Sequence, residues 1–254
     1  MIKTRDTREA AAFGTLGVPG KVQVVYEERS GKRHIEFQLD AVSVDPANAI
    51  RVAPIRRQLR EGTLPAGHVL FTVLRAIHNK KALMNFIKQG GCIGKKQALD
   101  GKSWLLDPEV VGLYGIPKKP DYAVIKTHDL DVVASLSLLG ADILKVEGNG
   151  RGSVFYLRGN DPMMADLGKG DYGLLLRDFR SGELSKTDPE HPFLYAMMGL
   201  KNYRSYLVAV DREIELVMIQ KPGTQLTAFV REDADDKAFD TMRQFFGGSG
   251  RFQG

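Results

Sequence analysis

The sequence predicts an α+β protein made of two tandem copies of a β-α-β-β-α-α unit, with a linker between them and a C-terminal hairpin–helix extension. Three observations predict it. Ile2-Lys3-Thr4, Asp6 and Leu16-Gly17 recur as Ile125-Lys126-Thr127, Asp129 and Leu139-Gly140. Arg57, Arg60, Gly62 and Leu64 recur as Arg177, Arg180, Gly182 and Leu184, and His68 and Asn79 as His191 and Asn202. So long a period marks a duplicated domain, because solenoid units run about 20–50 residues. The second observation is strict alternation in paired segments, the mark of half-buried strands. The third is the punctuation of helices by aspartate before and glycine after.

Each element follows in order. Met1–Arg5 and Tyr122–His128 read as short strands. Asp6 and Asp129 are placed to accept from a free N–H of the first helical turn. The helices that follow end at Gly17 and Gly140, residues able to take positive φ. Ala10, Ala11, Phe13 and Leu16 match Val133, Ala134, Leu136 and Leu139, a spacing that predicts one apolar stripe facing the core. Hairpins come next, Lys21–Glu27 with His34–Leu39 and Ile143–Glu147 with Ser153–Leu157, turning through Glu28–Lys32 and Gly148–Gly152. Two helices complete each copy. The first covers about Pro54–Arg60 or Leu174–Arg180, and the second starts near His68 or His191-Pro192. At the start of a helix, a capping or packing role suits these two histidines better than metal ligation. The expected boundaries are 1–90 for the first copy, 91–121 for the linker, 122–210 for the second copy and 211–254 for the extension. That extension reads as a hairpin, Glu213–Ile219 with Gln225–Arg231, then a short amphipathic helix over Asp235–Phe246 and a glycine-rich tail.

The 254 residues are 43% apolar and 26% charged, as in ordinary globular domains. No apolar run approaches the length that spans a bilayer, so no membrane partner is expected. One cysteine, Cys92, excludes an internal disulfide and a cysteine-rich zinc site, and the reading is a chain made in a reducing cytoplasm. Charge is unevenly spread. Residues 1–120 carry 20 Lys and Arg against 11 Asp and Glu, a net of +9, and the remainder carries −4. Opposite signs suit an anionic partner for the first copy, attraction between copies or neighbouring subunits, or neutral drift of the surface.

No constellation for catalysis emerges. Gly91-Cys92-Ile93-Gly94-Lys95-Lys96 has phosphate-loop flavour, but its spacing is short and Lys96 stands where a hydroxyl is needed. Gly148, Gly150 and Gly152 lie between two strands and read as a hairpin turn. The five histidines form no HExxH pattern, and Asp131 of a possible carboxylate pair with Asp129 is matched by Arg8 in the first copy. Asp161, Asp166 and Asp171 read as solvating a loop. Neither a cofactor nor a metal is expected, and the expectation is a protein that is not an enzyme.

Arg51, Arg56, Arg57 and Arg60 gather around one short helix, and Lys80, Lys81, Lys88, Lys95 and Lys96 extend the basic set. Such a patch would neutralise phosphates, giving nucleic-acid or anion binding with salt-sensitive affinity. Trp104 in the linker and Arg251 and Phe252 in the tail are the candidate partner-binding residues.

Thr127-His128-Asp129-Leu130, Leu138-Leu139-Gly140, the hairpin through Gly148–Gly152, Arg180-Ser181-Gly182-Glu183-Leu184 and the final helix through Tyr206 carry a resemblance. The pattern resembles a small uncharacterised α+β domain family of bacterial and phage proteins, more closely in the second copy than in the first. The resemblance implies a compact module, often without catalysis, in a phage-like setting. The expected function is therefore that of a non-enzymatic assembly protein, such as a virion or virion-assembly component. Its partner would be itself or another assembly protein. The alternative is a nucleic-acid-binding accessory protein acting through the basic first copy.

Overall fold

The computed structural model describes residues 1–26, 33–43, 50–88, 123–147, 152–159, 171–212, 216–220 and 227–231. Among them, helices accompany two small antiparallel three-stranded sheets and one further hairpin, an α+β architecture. No described helix is long and apolar enough to cross a membrane. The expected turns at Glu28–Lys32 and Gly148–Arg151, the linker 91–121, the helix at Asp235–Phe246 and the tail lie outside the described residues.

Contacts group the chain into two compact units that cut across the segments 1–90 and 122–210. One comprises residues 1–74 and 185–254, the other residues 75–184.

The first unit opens with β1 (Ile2–Thr4), α1 (Thr7–Thr15), β2 (Gly20–Tyr26) and β3 (Arg33–Leu39). The sheet order is β1-β3-β2, so the last strand is central and both neighbours run antiparallel to it. Asp6 caps α1 through a 2.9 Å bond from Arg8 N–H, and Thr4 Oγ1 accepts from Asp6 N–H at 3.2 Å. Gly17 takes φ 79° just beyond the helix, as the sequence predicts. After α2 (Val52–Glu61), the chain enters α3 (Val69–Lys88), whose first turns belong to this unit.

The remainder of the first unit comes from the end of the sequence. We number the later helices α4 (Leu130–Leu138), α5 (Tyr172–Arg180), α6 (Leu184–Thr187) and α7 (Pro192–Arg212). α7 packs along α1, and the hairpin β7 (Leu216–Gln220) with β8 (Thr227–Arg231) runs antiparallel, β8 lying against both helices. This packing corrects the single stripe expected for α1. Ala10, Ala11, Ala12 and Phe13 are all 0% exposed, because the sheet covers one side of α1 and α7 another. Alanines let the helices approach closely. Gly199 of α7 does the same, since a Cβ there would stand 2.3 Å from Val73 Cγ1 of α3. At the centre, the fully buried Tyr206 meets Phe37 edge-on with ring centroids 5.1 Å apart.

The second unit holds the later turns of α3, then β4 (Val124–Thr127), α4, β5 (Ile143–Glu147), β6 (Val154–Arg158) and α5. Its sheet order is β4-β6-β5. Asp129 Oδ1 caps α4 by accepting from Asp131 N–H at 2.8 Å, and Thr127 Oγ1 accepts from Asp129 N–H at 3.0 Å. Every residue from Asp131 to Ser137 is buried, so here too all-round burial replaces the expected stripe. The cover is α3: Asn79 Nδ2 donates to Ala134 O at 3.5 Å, and Lys80 Nζ pairs with Asp131 Oδ1 at 2.5 Å.

The two sheets share a register. Ile2 faces Leu39 and Thr4 faces Phe37 across β1 and β3, and Ile125 faces Leu157 and Thr127 faces Phe155 across β4 and β6.

Candidate functional site: a cationic groove beside α5

Helix α5 begins at Asp171, whose Oδ1 accepts from Leu174 N–H at 2.9 Å. The sequence reading gave that aspartate to loop solvation; the structure makes it an N-cap. Tyr172 anchors the first turn by donating from its hydroxyl to Leu139 O at 2.9 Å, and Leu176 and Phe179 turn into the core. Arg177 and Arg180 are left exposed, three residues apart in the last turn.

Beside them runs β4. Lys126, Arg177, Arg180 and Ser181 line an open groove of about 570 Å³ whose floor includes Ile125 and Leu176. Lys126 Nζ lies over the Tyr156 ring, 5.5 Å from its centroid. Arg177 meets its chain neighbour Asp178 at 3.1 Å, with the arginine side chain 70% exposed. Nearby, Glu147 accepts from Tyr156 Oη at 2.6 Å and is bound by Lys145. Hydrogen bonds from Lys145 and then Tyr156 hold its carboxyl below the usual range, with a smaller contribution from the Lys126 charge.

The residues singled out in the sequence fare differently. Arg51, Arg57 and Arg60 are exposed in the first unit. Arg56 is not a free cation. Its Nε and Nη2 clasp Glu9 at 2.6 and 3.1 Å, and Thr4 Oγ1 donates to the same carboxylate at 2.5 Å. Lys80, Lys81 and Lys88 belong to the second unit, where Lys80 is half-buried against Asp131 and the other two are exposed. Lys95, Lys96, Trp104, Arg251, Phe252 and Cys92 lie outside the described residues.

His68 and His191 are caps. Each accepts at Nδ1 from the backbone N–H two residues on, Leu70 at 3.1 Å and Phe193 at 3.0 Å. Burial lowers both imidazole pKa values, and at His191 Asp188 partly opposes it. Lys201 on α7 was not visible as unusual from sequence. Burial, then the neighbouring charge of Arg204, lowers its ammonium pKa to about 8.

Among the described residues no three His, Cys, Asp or Glu side chains converge as a metal site would require. Comparison with known protein families, curated proteins and solved structures returns no match for this chain.

Proposed function

We propose that this protein is a non-catalytic assembly protein built by duplication and fusion of one β-α-β-β-α-α module. The observation that carries the proposal is the common sheet, with the same strand order and the same Ile-x-Thr against Leu-x-Phe register in both units. The matched Thr–Asp caps and the positive-φ glycines Gly17, Gly62, Gly140 and Gly182 support it further. The long helices support a fused pair. α7 packs on α1 and sets Tyr206 against Phe37 of the first sheet, and the sheet of residues 124–158 shares its unit with most of α3. Exchange of an equivalent element is a low-cost route from one module to a dimer, and fusion would make the exchange permanent. Two similar modules then offer quasi-equivalent surfaces to further copies or to another assembly protein. The family that the second segment resembles supplies the setting, a virion or its assembly.

Light scattering on a sizing column over a wide concentration range, together with electron micrographs of the material, tests this. The expected result is a mass that grows with concentration. A chain that stays monomeric throughout and enters no particle overturns the proposal.

A second reading, nucleic-acid binding through the basic first segment, rests on the exposure of Arg51, Arg57 and Arg60. Titration of labelled DNA and RNA at two salt concentrations checks it, with affinity expected to fall as salt rises. The absence of binding at low salt removes it.

A further inference from the structure

We infer that Arg8, Lys80, Asp131 and Tyr203 form a pairing code that makes the two long helices non-interchangeable, so that α3 seats only on α4 and α7 only on α1. The inference rests on the equivalence of the two modules proposed above and not on their assembly. Lys80 of α3 and Tyr203 of α7 are sequence counterparts, and so are Asp131 of α4 and Arg8 of α1. In the second unit Lys80 Nζ meets Asp131 Oδ1 at 2.5 Å. Equivalent seating would put Tyr203 beside Arg8 in the first unit. Tyr203 is close enough to act on that arginine: the Arg8 pKa is raised by its hydrogen bond to Asp6 first, then, against partial burial, by the charge of Asp6 and by Tyr203.

The seats themselves are alike. Asn79 of α3 donates to Ala134 O, and Asn202 of α7 reaches the counterpart carbonyl, Ala11 O, through Thr15 Oγ1. The residue after each asparagine, Lys80 or Tyr203, therefore falls on the same place of its short helix. What differs is the charge that the short helix presents there. Arg8 is answered within its own turn, since its guanidinium bonds Asp6 at 2.6, 2.9 and 3.2 Å. It needs only an uncharged neighbour on the long helix. Asp129, the counterpart of Asp6, instead turns its Oδ1 to the N–H groups of Asp131 and Val132. The Asp131 side chain is 7% exposed and takes a cation from α3.

Exchanging the helices would break both matches. α3 on α1 would bring the Lys80 ammonium to Arg8, and α7 on α4 would leave Asp131 facing the Tyr203 phenol. A phenol can donate one hydrogen bond but carries no charge to set against a largely buried carboxylate. The second penalty is the larger, because the Arg8 side chain is 46% exposed and water screens it. Attraction in one seating and repulsion in the other together give the choice its specificity. Apolar burial cannot make that choice, since Ala11 and Ala134 are both 0% exposed and alanine matches alanine. The same code governs a helix supplied by a second copy of the chain, whose α7 would fit α1 and not α4.

The test exchanges the code in the full chain. Arg8→Asp with Asp131→Arg swaps the short-helix residues, Lys80→Tyr with Tyr203→Lys swaps those of the long helices, and a third variant combines all four. Every side chain moved in this way takes the place of its own counterpart. Nuclear Overhauser contacts from the ¹⁵N-labelled side-chain amide of Asn79 report which short helix α3 covers, and urea unfolding reports stability. In the parent the contact goes to Ala134. Either exchange alone should move it to Ala11 or, where the chain cannot re-seat its helices, abolish it and lower the folding constant at least about a hundredfold. In the combined variant the moved lysine faces the moved aspartate on α1, so the Ala134 contact and most of the stability should return. An Ala134 contact that survives either exchange alone overturns the inference. So does a combined variant no more stable than the two exchanges added together. A strictly monomeric chain leaves the code standing, and a surviving Ala134 contact leaves assembly standing, so the two readings fail separately.

Discussion

Asn202 Nδ2 donates to Thr15 Oγ1 at 3.0 Å across 187 residues of sequence, and Thr15 passes the bond on to Ala11 O at 2.8 Å. Asn79, the sequence counterpart of Asn202, reaches Ala134 O directly, and Ala134 is the counterpart of Ala11. Each asparagine ties a long helix to the short buried helix of its unit. Asn202 is 0% exposed, so replacing it removes a bond that water cannot restore. Asn202→Ala should lower stability by about 1–3 kcal/mol in urea unfolding. A change within experimental error would show that the bond is dispensable.

Gly199 should tolerate no side chain. A Cβ would fall 2.3 Å from Val73 Cγ1 and 3.2 Å from Val73 Cβ, and valine has little rotamer freedom in a helix. Gly199→Ala is expected to cost about 1–3 kcal/mol through overpacking. The double variant with Val73→Ala should be less destabilised than the two single costs added together. Strict additivity would place the strain elsewhere.

The Lys80–Asp131 pair is largely buried, with side chains 15% and 7% exposed. Lys80→Met leaves the carboxylate without this cation, a loss of about 3–5 kcal/mol for pairs of this kind. Lys80→Glu and Arg56→Glu are for the same reason poor variants for testing nucleic-acid binding. Each would set a carboxylate against an acid that is buried (Asp131) or part-buried (Glu9), and each is expected to destabilise the fold. Thermal melts of Lys80→Met beside Lys81→Met check this, because Lys81 is exposed and its loss should be mild.

The two histidine caps predict a pH dependence with a definite sign. Nδ1 can accept only when unprotonated, and burial lowers both pKa values below the ordinary 6.5. Well above 6.5 neither state carries the proton, and the caps contribute fully. As pH falls below that value the unfolded chain takes up protons first, so stability declines until the folded histidines titrate too. The double variant His68→Asn, His191→Asn keeps an acceptor at each cap and should flatten this part of the curve. Denaturation midpoints from pH 5 to 8 would record it; an unchanged slope in the variant would clear the histidines.

Fragments should complement. Cutting after Gly101 leaves neither piece with all of either unit, since residues 1–74 need 185–254 and residues 75–88 share a unit with 89–184. Each piece alone is expected to lack a cooperative thermal transition, and the mixture to regain one. Cooperative unfolding of either fragment by itself would contradict the division.

Much of this was readable in the residues. The aspartate caps, the glycines that close α1 and α4, the three hairpins and the histidine starts of the long helices all follow from chemistry that acts within a turn or two of chain. The cationic groove was half-readable. Arg177 and Arg180 match Arg57 and Arg60 in the sequence, and Lys126 matches Lys3, but only the structure brings α5 beside β4.

What the amino-acid sequence determined alone was the kind and punctuation of each element, because periodicity and capping depend on near neighbours. Partnership was decided by the tertiary structure. It put the returning strand at the centre of each sheet, sheathed α1 and α4 on every side, and handed Arg56 to Glu9 and Lys80 to Asp131. Those outcomes turn on which distant surface offers the best cover for an apolar face or a buried charge, and near neighbours in the sequence carry no record of that choice.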